Sequence, residues 1–404
     1  MHSATLLAHL DVKVDEMYHV RRLKVGHDPR IEALALIAGG LYSRTVVSFW
    51  RAVRKGVWLK SSSLMRWQTD DRLHAHSADA VVQQFFGALK SWRKRRKDDP
   101  NAHPPRRRCR FARLQWKSSA IRLRDGVLVL SNGKRSAPLL IPWAFERPTL
   151  VEIGWGGTQY ELRAIYTVAP SAQPLGTNVV GIDLGEVHLA AAYDGARTII
   201  VNGRYLRSKR RYQNKFKARL SALLDRKKRG SRRRRKLARS KARQLRKLQH
   251  QVADVLHKQT SNLVSTLHAS GVQTLALGDL RTIRQRTDLG RKANQKIHQW
   301  LAGKTRHLLD YKSERLGMAV VLVDERYTSQ LCPACRHRTK PSGRRYRCRL
   351  CKAAFHRDQV GAYNIRAKYL QATAVVGAMA TPTGVRFHPH LRRSSSKATI
   401  SVAA

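Results

Sequence analysis

Two aspartates and four cysteines are the residues whose types and spacing could do chemistry in this chain. Asp183 sits inside the apolar run VVGIDLG, where an ionised carboxylate is costly unless a metal or a donor compensates it. Asp358 opens the helical pattern in FHRDQVGAYNIRAKYL, where the positive end of a helix dipole favours negative charge. Carboxylates on a strand and on a facing helix can share two divalent metals about 4 Å apart, which activate water and stabilise the leaving oxygen in phosphodiester cleavage. Most sites of this chemistry need a third carboxylate. Each aspartate also has a plainer reading, Asp183 as a turn cap at a strand end and Asp358 as a helix N-cap. Cys332, Cys335, Cys348 and Cys351 form C-x2-C-x12-C-x2-C, two knuckles able to place four thiolates tetrahedrally around one Zn2+. Their segment, CPACRHRTKPSGRRYRCRLC, has too little apolar content to fold without a staple, which weighs against unrelated thiols or a redox pair. His337 and His356 are near enough to be alternative ligands, and Cys109 is left over.

The elements that must position these groups follow from periodicity. The runs NVVGIDLG, VHLAAAYDG and RTIIVNG over residues 178–201, each ended by glycine, predict an antiparallel meander carrying Asp183. GVQTLALGDL and GMAVVLVDER are two apolar runs separated by a helix around 292–316. That βαβ order brings their C-terminal ends side by side in a parallel sheet, where catalytic groups gather. A helix over about 357–371 carries Asp358, and Gly361 and Ala362 let it approach the sheet closely. Upstream, apolar spacing of three and four residues predicts helices over 29–95, and strand-like runs over 106–167 predict a small β-barrel or sandwich. Between them, residues 91–110 form a basic, proline-containing linker or strap.

The 404 residues include 80 Lys plus Arg against 26 Asp plus Glu, a formal charge of +54. Such a charge repels itself unless a polyanion neutralises it, and nucleic acid does so with counterion release at every phosphate. The densest stretch, Arg204 to Lys247, holds 22 Lys or Arg in 44 residues. Its apolar spacing predicts two helices hinged near Gly230; a solvated basic face is the plainer reading. Five cysteines exclude a disulfide scaffold. No apolar run near the ~20 residues of a spanning helix is evident, so no membrane partner is expected. The N-terminus shows no signal-peptide layout, so the chain is expected in the cytoplasm or nucleoid of a prokaryotic-type cell.

GIDLG, LALGDL, YTSQLCPAC, CRLC and HRDQVGAYNI, in this order, resemble the RuvC segments and zinc ribbon of TnpB proteins, transposon-encoded relatives of the type V CRISPR effectors. The resemblance is specific over residues 178–370. It implies a multidomain α/β plus β fold: an RNase H-like (RuvC) core with an inserted zinc ribbon, preceded by a helical recognition lobe and a wedge-type β-barrel. The implied divisions are 1–28 and 106–177 for the wedge, 29–105 for the recognition lobe, 178–327 for the RuvC core with a basic insertion over 204–260, 328–352 for the ribbon, 353–372 for the last RuvC helix and 373–404 for a disordered tail. It also implies a guide RNA, a double-stranded DNA target with a short adjacent motif, two catalytic Mg2+ and one structural Zn2+.

Carried onto this sequence, Asp183 and Asp358 match the first and last RuvC carboxylates, the latter in the family's RD-x-x-x-A-x-N pattern. The second segment departs: Gly278 stands where the family usually has glutamate. Asp279 is adjacent, but strand alternation points it to the opposite face unless a bulge intervenes. Glu325 ends the neighbouring parallel strand, about 4.8 Å away, a gap that its side chain can span. VDERYTSQLC is similar to family branches with a relocated glutamate. Asp183, Glu325 and Asp358 are thus the expected catalytic, Mg2+-binding set, with a surface glutamate between Asp324 and Arg326 as the alternative. By the same resemblance Arg210, Arg211, Lys227, Lys228, Arg232, Arg233, Arg234, Arg235 and Lys236 are expected to grip nucleic-acid phosphates. The expected activity is RNA-guided DNA cleavage; Gly278 keeps open an RNA-guided binding protein without cleavage, and a guide-free branched-DNA nuclease is the third reading.

Overall fold

The computed structural model describes residues 17–107, 111–168, 173–281, 283, 288–370, 385–388 and 402–403; Cys109 lies outside them. The chain divides into two compact units, Met1–Val168 and Ala169–Ala404.

The first unit opens with strand β1 (Met17–Gly26), followed by helices α1 (Pro29–Arg54), α2 (Ser61–Trp67) and α3 (Ala75–Asp98). Helix α1 starts where Asp28 accepts a 2.8 Å hydrogen bond from the Arg30 amide, with Pro29 in the first turn, the residue types that helix starts favour. By length and composition α1 meets the requirement for crossing a membrane, contrary to the sequence expectation that no run comes near it; half of its most apolar stretch is buried within the unit. Its Leu41 and Phe49 pack in one core with Phe85 of α3 and with strand residues.

The strands of this unit are β2 (Leu114–Lys117), β3 (Ile121–Arg124), β4 (Val127–Leu130), β5 (Leu139–Pro142), β6 (Leu150–Trp155) and β7 (Tyr160–Val168). They form two antiparallel sheets, β1-β7-β6-β2 and β3-β4-β5, instead of one closed barrel. The physical reason lies at Ser118–Ala120, a single 3-10 turn that carries the chain from one sheet to the other.

The second unit is built on β8 (Asn178–Asp183), β9 (His188–Tyr193) and β10 (Thr198–Asn202), an antiparallel meander. Two basic helices, α4 (Arg204–Asp225) and α5 (Arg232–Ala269), meet at a turn where Gly230 has φ +81°. Strand β11 (Val272–Gly278) then lies parallel to β8. Helices α6 (Gly290–Gln299) and α7 (Ala302–Arg315) lead to β12 (Ala319–Val323), parallel to β11. The single helix expected over 292–316 is thus two. Trp300 turns extended, with ψ 136°, and its indole donates a 3.0 Å hydrogen bond to the Gly185 carbonyl, which ends α6.

A hairpin, β13 (Arg345–Arg347) with β14 (Ala354–His356), precedes helix α8 (Arg357–Tyr369). Finally β15 (Val385–His388) runs parallel to β10 and pairs with β16 (Val402–Ala403). These six residues belong to the stretch 373–404 for which a disordered tail is expected; the rest of that stretch lies outside the described residues. Val385 and Phe387 suit a strand, and pairing removes the open edge of β10. The sheet order is β12-β11-β8-β9-β10-β15-β16.

Candidate active site

Helix α8 crosses β8 at very short range because two glycines clear the way. A Cβ on Gly181 would stand 2.6 Å from the Arg366 amide and nearer still to the Ala362 carbonyl. A Cβ on Gly361 would stand 2.5 Å from Asp183 Oδ2. Arg366 ties the pair with a 2.7 Å hydrogen bond to the Val179 carbonyl. Asp183, ending β8, and Asp358, in the first turn of α8, therefore face one cleft, together with Glu325, Arg344, Arg357 and Trp300.

Glu325 reaches this cleft from the loop after β12. Gly278 pairs with Val323 across β11 and β12, and the Asp279 amide donates to the Val323 carbonyl at 2.8 Å. The Glu325 side chain lies where a side chain at 278 would begin: a Cβ there would stand 2.5 Å from both Cγ and Cδ of Glu325. Helix α8 fixes the backbone on both sides, since Lys368 Nζ donates to the carbonyls of Asp324 (2.9 Å) and Arg326 (2.7 Å). Thr328 Oγ1 donates to the Glu325 carbonyl at 2.9 Å, and Asn364 holds the loop through the carbonyls of Thr328 and Leu331. Asp279 is engaged elsewhere, gripping Arg281 at 2.7 Å.

Electrostatics distinguish the three carboxyls. Burial, then the charges of Glu325 and Asp358, push Asp183 well above the usual carboxylate range. Burial, then Asp279 and Asp324, push Glu325 up to about 7, and its buried Oε1 has no hydrogen-bond partner among the described residues. Burial also acts to raise Asp358, but the hydrogen bond to His188 and the charge of Arg344 outweigh it, leaving this carboxyl below its ordinary value. Asp183 is repelled by both other carboxyls, and Glu325 carries an orphaned buried oxygen, a strain that a divalent cation in the cleft would relieve.

Sequence reasoning missed two residues here. His188 Nδ1 lies 2.7 Å from Asp358 Oδ2, and Arg344 Nη1 lies 2.8 Å from the same oxygen. His188 left one legible signal, a histidine beginning the otherwise apolar strand HLAAAY, buried throughout. Arg344 left none, because only the folded hairpin brings it over α8.

The four cysteines converge at the base of that hairpin. Cys332 and Cys351 sulfurs are 3.6 Å apart, and those of Cys335 and Cys348 are 3.5 Å apart. Ligands at 2.3 Å on a tetrahedral Zn2+ would stand about 3.8 Å apart, so the set fits that ion. Each knuckle turns on a non-glycine residue with φ 60°, Arg336 and Lys352, directly after its second cysteine. Within this set burial pushes the Cys332 thiol up and Cys351 is raised as well, while Cys348, against its own burial, is lowered by backbone N–H groups of Cys351 and Leu350 and by neighbouring thiols. Cys348 is thus the thiol of the set that most readily becomes the thiolate a metal needs.

The basic residues singled out from sequence divide. Arg211, Lys228, Arg232, Arg233, Arg235 and Lys236 are exposed, and Lys227 is half-buried. Arg210 instead donates to Gln213 (2.7 Å), and Arg234 donates to the Leu224 and Lys227 carbonyls. Both guanidinium groups thus have partners within the chain, Arg210 inside α4 and at the end of α6, and Arg234 across the turn that joins α4 and α5.

Residues 159–284 match the OrfB_IS605 family model, described as "Probable transposase", and residues 303–365 match the Cas12f1-like TNB domain model. Asp183 falls within the first match; Glu325, the four cysteines and Asp358 fall within the second. Over 201 residues the chain is 27% identical to a TnpB-like protein of Acidianus two-tailed virus, covering 49% of this chain and 43% of that protein. Over 95 residues it is 32% identical to a TnpB-like protein of Methanocaldococcus jannaschii, covering 23% of this chain and 34% of that one. The matches thus span less than half the length of these curated relatives. In fold, the chain is similar to one in a cryo-EM structure of a Cas12f1–sgRNA–target DNA complex, with a TM-score of 0.53 at 12% identity, over 84% of this chain and 83% of that one. Two consecutive family matches and these relatives agree in one direction: over residues 159–365 the chain is similar to TnpB-like proteins.

Proposed function

We propose that this chain is an RNA-guided DNA endonuclease whose cutting site is formed by Asp183, Glu325 and Asp358. The observation that carries this reading is the placement of Glu325, whose side chain fills the volume vacated at Gly278. A missing carboxylate with nothing in its place would favour a binding protein without cleavage; a buried, otherwise unpartnered glutamate there favours a nuclease. Divalent cations, when bound, supply an activated water and stabilise the leaving oxygen. The chain's own part is to hold three carboxylates in register on β8, the loop after β12 and α8, and to offer Arg344 and Arg357 at the cleft to the phosphate backbone. The second unit acts as the RuvC core with its ribbon, the ribbon holding one structural Zn2+ and the cleft two Mg2+. The helices and sheets of the first unit act as recognition lobe and wedge, reading a short motif beside the target. The exposed Lys and Arg of α4 and α5 grip phosphates of guide and target, which adds affinity, while guide pairing supplies sequence choice.

The test is to purify the chain with its co-expressed RNA, sequence that RNA, and incubate the complex with a matched, motif-bearing duplex and Mg2+. A discrete guide-bearing RNA and cleavage of the matched duplex alone are expected. Tight matched binding without cutting would overturn the nuclease reading, and absence of a discrete RNA would overturn guidance.

A further inference from the structure

On the hairpin side of the cleft, Asp358 faces two imidazoles. One ligand atom each from His188, His356 and Asp358 lies within 4.8 Å of the others, and the two rings stand 5.3 Å apart at 43°. A cationic nitrogen already sits against this cluster: Arg344 Nη1 is 2.8 Å from Asp358 Oδ2 and 3.2 Å from His188 Nδ1. His188 Nδ1 cannot donate to Asp358 and accept from Arg344 at once, because a single ring nitrogen carries either a proton or a lone pair. With the lone pair inward, Nδ1 and Oδ2 are two donors aimed at one cation. Exposure is graded as an exchangeable cation requires: the side chains of His188 and Asp358 are 5% and 17% exposed, that of Arg344 40%.

We propose that His188, His356 and Asp358 form a cation subsite for a divalent first-row transition-metal ion in preference to Mg2+, and that Arg344 is the internal cation occupying it until the metal enters. Two imidazoles and one carboxylate select such ions, because imidazole nitrogen suits first-row transition metals better than Mg2+; Mn2+, the weakest binder of that series, serves as the paramagnetic probe. Asp358 has two carboxylate oxygens, so it can serve this subsite and the three-carboxylate side of the cleft. The inference concerns metal binding and stands whether or not the chain cuts DNA.

The test uses the full, zinc-loaded chain with Mn2+ as probe, titrated by electron paramagnetic resonance and compared with Mg2+ by calorimetry. Nitrogen-14 modulation on bound Mn2+ is expected in the wild type, reduced in His188→Ala and in His356→Ala, and lost when both histidines are replaced. His188→Ala and His356→Ala should each weaken one Mn2+ site by about tenfold or more, the range seen when a supporting metal contact is removed, with little change for Mg2+. Arg344→Ala should tighten Mn2+ binding, a gain that damage to the fold cannot mimic. No nitrogen coupling in the wild type, equal losses for Mn2+ and Mg2+ in folded histidine variants, or unchanged or weaker Mn2+ binding in Arg344→Ala would each overturn the subsite.

Discussion

Replacing Gly278 by alanine should cripple cleavage even though no oxygen donor is removed. The Cβ would stand 2.5 Å from Cγ and Cδ of Glu325, and nearer to Oε1, whereas ordinary contact begins at 3.4 Å. The glutamate must therefore retreat by about 1 Å, and a misplacement of about 1 Å at a reacting centre can cost about 10²-fold in rate. The backbone itself tolerates the change: Gly278 ends a regular strand paired with Val323, and alanine costs less conformational entropy there than glycine. Single-turnover cleavage of a matched duplex measures the loss, and thermal melting shows that the fold is retained. The double variant Gly278→Glu, Glu325→Ala returns a carboxylate to β11 and clears the space it needs. It should recover to within about tenfold of wild type, a strongly non-additive result for residues in contact. A folded Gly278→Ala protein cutting at the wild-type rate would refute the claim that Glu325 acts from this position.

Other perturbations have equally definite outcomes. Lys368→Met removes two hydrogen bonds that brace the backbone around Glu325; it should cost about 1.5–3 kcal/mol of stability by denaturant melts and slow cleavage while leaving duplex binding intact. Without divalent cation at the cleft, stability should fall as pH rises from 4.5 to about 7 and then level off, because Glu325 in the fold holds its proton to about 7 against a reference of 4.5. The folded state binds more protons than the unfolded one across that window. The total is about 3 kcal/mol at about 1.36 kcal/mol per unit, and Glu325→Gln should flatten the slope. Cys348→Ser should remove zinc measured by elemental analysis and lower cleavage, since the hairpin that carries Arg344 loses its staple. Replacing Arg232, Arg233, Arg235 and Lys236 by glutamine should reduce the slope of log affinity against log salt by up to about 3.6, at about 0.9 per phosphate contact.

Much of the arrangement was legible because it rests on local pattern. The succession of apolar runs announced the meander and the parallel β11–β12 pair, and Gly361 with Ala362 marks where a helix can press against the sheet, while the part of Gly181 shows only in the packing. The loss at Gly278 was visible as a missing residue type. That Glu325 reaches the same space depends on the β11–β12 register and on Lys368 and Asn364, whose partners are loop carbonyls that no periodicity reveals. Arg344 approaches Asp358 only through the hairpin's fold. The break at Trp300 depends on a distant carbonyl, that of Gly185, and β15 on an unpaired edge at β10. Such tertiary hydrogen bonds override helix or coil preferences read along the chain. Within the charge run, the hydrogen bonds of Arg210 to Gln213 and of Arg234 to the Leu224 and Lys227 carbonyls are likewise invisible to residue type and spacing.

The central claim is that Glu325 supplies the carboxylate missing at Gly278. Glu325→Gln keeps shape and volume and removes only the anionic oxygen, so its rate on guide-matched duplex DNA with Mg2+, beside wild type at equal bound fraction, is the most direct measurement. The account expects cutting by the wild-type complex and loss of at least about 10²-fold in the variant with binding unchanged. Equal cutting by Glu325→Gln, or no cutting by a wild-type complex that binds its target, would contradict it.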